Sequence, residues 1–78
     1  MPRYFFHLQS QDSFTRDDTG LEMATVDRAR DHASDAAGGI LTSDFRAGRT
    51  DIRFEIQVED GREHRVMTLK VTGTVAAP

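Results

Sequence analysis

Asp18-Thr19-Gly20 spell the tripeptide that carries the catalytic carboxylate of aspartic proteases. That chemistry needs two such carboxylates sharing a proton, which a homodimer could supply. The flanks argue against it. An apolar strand should precede the tripeptide and a small residue should follow, whereas here Arg16-Asp17 precede and Leu21 follows. The stretch reads instead as an Asp/Gly turn, in which the carboxylate accepts hydrogen bonds from nearby backbone N–H groups and glycine takes a positive φ.

Other chemistry finds less support. His7, His32 and His64 are the only histidines, and none has the short fixed spacing of a zinc or iron site. There is no cysteine, so no disulfide and no thiolate ligand or nucleophile. No serine lies in a G-x-S-x-G elbow, and Gly38-Gly39 lacks the G-K-[ST] ending of a phosphate loop. The chain is read as a non-enzyme with no catalytic residue, no metal site and no cofactor. His7 is set apart from the other two because it stands beside Phe5 on a strand, where a titrating group could tune an interface.

Phe5 and Phe6 raise a nucleic-acid reading, since sheet-based RNA binders stack bases on exposed aromatics. The formal net charge is −3 and there is a single lysine. Glu55, Gln57 and Glu59 share the face on which Phe5 would stack, and Arg3, Arg53 and Lys70 are too few to attract phosphate. The electrostatic term that dominates such affinity is missing. No apolar run approaches the roughly 20 residues of a membrane helix. A signal peptide's basic region and apolar stretch are absent from the opening residues. A cytoplasmic protein without a membrane or nucleic-acid partner is expected.

The elements that position these residues follow from periodicity. Arg3 to Gln9 reads as a strand, with Tyr4, Phe6 and Leu8 on one face and Arg3, Phe5, His7 and Gln9 on the other. Ser10-Gln11-Asp12 is a polar turn. A three-residue loop there would set Phe14, on a short strand from Ser13 to Arg16, beside Leu8. Asp17 to Gly20 is a turn, and Leu21 and Met23 belong to an extended lead-in. Thr25 is placed to cap a helix whose apolar stripe is Val26, Ala29, Ala33, Ala36, Ala37, Ile40, Leu41 and Phe45. Asp27 and Arg46 suit its two ends, and Gly48 suits a C′ cap. Gly38-Gly39 in mid-helix implies a bend or a very close approach to another element, since each glycine costs about 1 kcal/mol relative to alanine.

Asp51 to Asp60 alternates with a strict period of two. Asp60-Gly61 reads as a two-residue hairpin turn into a last strand from about Arg62 to Thr72. That loop length sets Phe54 opposite Met67, Ile52 opposite Leu69, Asp51 opposite Lys70 and Glu59 opposite Arg62. The expected fold is α+β, β-β-α-β-β: a four-stranded antiparallel sheet with one helix on one face. Residues 1–72 form a single domain and residues 73–78 a frayed tail.

Met1-Pro2-Arg3-Tyr4-Phe5-Phe6-His7 resembles the opening of a family of short bacterial proteins, mostly alphaproteobacterial, classed as a domain of unknown function. Asp17-Asp18-Thr19-Gly20-Leu21-Glu22 matches that family's D-x-x-G-x-E element, and Thr25 to Gly48 its alanine-rich helix. The resemblance covers the chain to about Val71 and implies the same fold, without an activity. A fainter likeness, of architecture alone, is to antitoxin modules of HicB type.

The residues point to a small interaction or structural module. A chain of 78 residues buries only about 60–65% of its unfolded surface, and such domains often gain stability by association. Phe5, His7 and Val66 are expected to form an apolar patch on the uncovered sheet face. Arg53 belongs to the polar rim. The expected partner is a second copy, through that face or through an edge strand, or another protein. An antitoxin-like or regulatory nucleic-acid module is the alternative.

Overall fold

The computed structural model describes all residues, 1–78. Its elements are β1 (Arg3–Ser10), β2 (Phe14–Thr15), β3 (Leu21–Glu22), α1 (Val26–Arg46), β4 (Asp51–Glu59) and β5 (Arg65–Thr74). The sheet is antiparallel, in the order β2-β1-β4-β5, with β3 also paired to β1. This is the expected α+β architecture. One short strand has been added, because the lead-in at Leu21–Glu22 joins the sheet.

The central strand β4 supplies the floor of the core. Ile52, Phe54, Ile56 and Val58 are all buried, as are Tyr4 of β1 and Ala29, Ala33 and Ala37 of α1. Tyr4, Phe6 and Leu8 therefore face the helix, and Phe5 and His7 do not. Small alanines let the helix axis lie close to the sheet, so little of its stripe is bulky. Val26 and Phe45, at the two ends of the stripe, stay 42% and 36% exposed.

Both helix ends form as the side chains dictate. Thr25 accepts a hydrogen bond from the Arg28 N–H at 3.1 Å. At the other end Gly48, with φ +90°, donates to Phe45 O, and Arg49 N–H donates to Asp44 O. Those two bonds are a Schellman cap. Between the caps the helix runs without interruption through Gly38-Gly39. Neither expected explanation of that pair applies: the helix is continuous, and a Cβ added at either glycine would meet nothing within 4 Å. The close approach occurs at Gly73 of β5 instead. A Cβ there would lie 2.7 Å from Leu41 Cδ1 and 2.8 Å from Phe45 Cζ.

Both hairpins differ from expectation in register, one through a shorter turn and the other through a longer loop. In the first, Ser10 N–H bonds Ser13 O at 2.9 Å, leaving a two-residue turn at Gln11-Asp12. Phe14 thus pairs with Gln9, and Leu8 with Thr15. A shift of one residue moves a side chain to the other face, so Phe14 joins Phe5 and His7. In the second, Asp60 brackets a longer loop. Its carboxylate accepts from the N–H groups of Arg62 and His64 at 2.8 and 3.0 Å, and Glu63 takes φ 64°. Phe54 then pairs with Val71 and Ile56 with Leu69, four residues from the expected register. Four is even, so the apolar residues stay on the helix side. The strand also reaches Thr74, and Val75 N–H bonds Thr50 O at 2.9 Å. The paired region therefore passes the expected boundary at residue 72.

Candidate functional site

The two motifs that carry the family resemblance meet along one sheet edge. Between Phe14–Thr15 and Leu21–Glu22 the outer strand is interrupted, which would leave the Phe6 N–H of β1 unpaired. Asp17 fills the gap. Its Oδ2 accepts from Phe6 N–H at 3.0 Å, and its Oδ1 from Thr19 and Gly20 N–H at 3.1 and 3.0 Å. Burial alone would raise the Asp17 carboxyl, but the donated bonds from Gly20, Phe6 and Thr19 outweigh it and hold the group below its ordinary 3.8. Gly20, at φ +71°, admits no side chain, since a Cβ would sit 2.9 Å from Tyr4 O and from Phe5 Cε2. Arg3 closes the corner with a hydrogen bond to Thr19 O at 2.9 Å and an ion pair to Glu22 at 3.3 Å.

The turn chemistry expected of Asp18 is thus carried out by Asp17. Asp18 points outward and pairs with Arg16. The D-x-x-G spacing held the signal: a carboxylate three residues before a positive-φ glycine can reach that glycine's N–H.

His7 ties this edge to the central strand. It is 5% exposed. Its Nδ1 accepts from the Asp17 N–H at 3.0 Å, and its Nε2 lies 2.6 Å from Glu59 Oε1. The backbone donor fixes the tautomer, because Nδ1 must be the bare nitrogen and Nε2–H donates to Glu59. Phe14 covers the ring at a centroid distance of 5.7 Å. His7, expected at a free face, is therefore a buried strut between Asp17 and Glu59. Asp17, Asp18, Glu59, Asp60 and Glu63 rim a cleft around it, yet no three His, Asp or Glu side chains are placed to hold a metal ion. Of the other histidines, His32 packs against Phe6 with tilted rings whose centroids are 4.7 Å apart, and His64 is exposed at the hairpin tip.

The four residues expected to form one interface do not come together. Phe5 is half-buried against the Gly20 corner. Val66 is not on the open face: it falls at the bulge where the β4–β5 register shifts and packs against the core cluster. The longer Asp60–His64 loop is the cause. Arg53 is exposed and pairs with Asp51 at 3.4 Å. It lies six residues along β4 from Glu59, the partner of Phe5, or about 20 Å at the rise of a strand. Between them the open face is polar, with Gln57 bonded to Glu55 and to Arg65.

The opposite edge is built differently. The outer side of β5 has no strand beside it. The Val75–Thr50 hydrogen bond sets the alternation of the β4–β5 ladder. Residues 71 and 73 lie in hydrogen-bonded pairs with β4, while Thr68, Lys70, Thr72 and Thr74 lie in non-hydrogen-bonded ones. These four turn their N–H and C=O groups away from β4, toward the free edge. No sequence signal marked this edge, because periodicity shows faces and not neighbours. No helix is long and apolar enough to cross a membrane.

Residues 3–72 match the model of a family described as a domain of unknown function, DUF6894. No curated protein and no solved structure matches the chain.

Proposed function

The chain belongs to the DUF6894 family, and from that premise we propose that it is a non-enzymatic interaction module that associates with a second copy of itself through the β5 edge. One observation carries the reading: the two edges of a single small sheet are treated oppositely. The β1 edge is closed by two short strands, a carboxylate cap and an ion pair. The β5 edge keeps a row of free backbone groups. Closing an edge is how proteins suppress strand addition, and an open one is a template for it.

Surface area supports the same reading. A compact monomer of 8.7 kDa exposes about 4,700 Å², whereas this chain exposes 5469 Å². The polar, partly acidic open face offers less to a partner, and it gives a nucleic-acid module no basic surface to work with. Two of the exposed large hydrophobics lie near β5, Val75 at 54% and Phe45 at 36%; Met1, Phe14, Leu21 and Val26 lie toward the β1 side and the start of the helix.

The test is solution mass by light scattering over about a hundredfold range of concentration, for the natural chain, Lys70→Pro and Phe5→Asp. Lys70→Pro removes an N–H that the single chain does not use. The expected result is a concentration-dependent dimer that Lys70→Pro abolishes and Phe5→Asp retains, with each variant folded by circular dichroism. A natural chain that is monomeric throughout overturns self-association. Loss of the dimer in Phe5→Asp alone moves the contact to the open face.

A further inference from the structure

We infer that the two copies join in one register, with Val71 of each facing Val71 of the other across a two-fold axis normal to the sheet. The inference rests on the self-association proposed above and deepens it.

Thr68, Lys70, Thr72 and Thr74 carry the free N–H and C=O groups, so antiparallel pairing must set an even-numbered residue against an even-numbered one. The same parity keeps both helices on one side of the joined sheet. Every register centred on a residue meets both conditions, and one centred between two residues meets neither.

Two further features select among them. The bulge at Val66 spoils the edge beyond Met67, while the Val75–Thr50 bond carries the regular ladder to Val75. The usable stretch is therefore Met67 to Val75, and its midpoint is Val71. Centring on Lys70 would oppose two ammonium groups, which destabilises a cross-strand pair. Centring on Leu69 would draw the bulged Val66 into the ladder.

With Val71 at the centre, every pair is chemically matched. On the helix side Val71 meets Val71, Leu69 meets Gly73, and Met67 meets Val75. The exposed Val75 side chain gains a cover, and Leu69 of one copy comes beside the Leu41 and Phe45 side chains that lie over Gly73 of the other. On the open side Lys70 meets Thr72 and Thr68 meets Thr74. Lys70 keeps its neighbour Glu55 on β4.

The chain has no cysteine, which makes single-cysteine cross-linking a clean reporter. Val71 faces its mate in a non-hydrogen-bonded pair, where Cα atoms stand about 4.5 Å apart, within disulfide range. Leu69→Cys, Lys70→Cys and Val71→Cys are oxidised mildly at a concentration where the natural chain is dimeric. Val71→Cys is expected to form the covalent dimer at least about tenfold faster than the other two, given the strict geometry of the bond. An equimolar mixture of Lys70→Cys and Thr72→Cys should give the mixed dimer in preference to either homodimer. Fastest linkage through Leu69→Cys or Lys70→Cys would overturn this register and leave self-association standing. A natural chain that stays monomeric would remove both.

Discussion

Gly38→Ala and Gly39→Ala should make this protein more stable. Glycine in a helix interior is less favourable than alanine by about 0.8–1.0 kcal/mol, chiefly through the backbone freedom it loses on folding. A helical glycine is usually retained because a Cβ would collide with a neighbour. Here both positions are exposed on an unbroken helix, and an added Cβ meets nothing within 4 Å. No clash offsets the gain, so the double variant should gain about 2 kcal/mol. Unfolding entropy of about 2.1 cal/mol/K per residue gives this chain about 160 cal/mol/K, so each substitution should raise Tm by about 6 °C. The assay is thermal and urea unfolding followed by circular dichroism, at one fixed concentration so that association does not contribute. The denaturant m-value should not change. A double variant that is no more stable, or less stable, would refute the argument and mean that the helix bends at the glycine pair in solution.

Gly20→Ala should act in the opposite direction. Its φ of +71° and the 2.9 Å contact with the Tyr4 carbonyl combine a left-handed backbone penalty with overpacking, for about 2–4 kcal/mol, measurable as a lower urea midpoint. His7→Ala should cost about 2–4 kcal/mol, since it strands the Asp17 N–H and leaves Glu59 without its donor; the Asp17 amide should lose its protection from hydrogen exchange. Asp17 and Asp60 both ionise below the ordinary 3.8. The stability they contribute is complete above that value and is lost as pH falls through their lower folded values. The gap in urea midpoint between the natural chain and Asp17→Asn should therefore be wide at neutral pH and narrow progressively below pH 3.8. A gap that stayed constant into strong acid would show that the Asp17 charge is not what closes the edge.

Much of this fold could be read along the chain, and the errors share a cause. The alternation in β4, the Thr25 cap and the Gly48 terminus involve residues a few positions apart, so local geometry alone decides them. The apolar faces of β1 and β5 were legible for the same reason. The register of each hairpin was not. One turned on a Ser10–Ser13 bond, which carried Phe14 to the other face, and the other on which N–H groups the Asp60 carboxylate would collect, which kept the hydrophobic pattern of the expected pairing. A four-residue shift changes no face, so composition could not reveal it; the bulge beside it, between Arg65 and Met67, took Val66 from the proposed patch to the core.

The sequence by itself determined what is local and periodic here: two hairpins, one capped helix, and which side chains share a face. Only the tertiary structure decided which strands are neighbours, and with that the site. β1 and β4 are joined across more than 40 intervening residues. That pairing buried His7 between Asp17 and Glu59 and left β5 at the rim. An edge is a relation between strands distant in the chain, and no periodicity within a single strand encodes it.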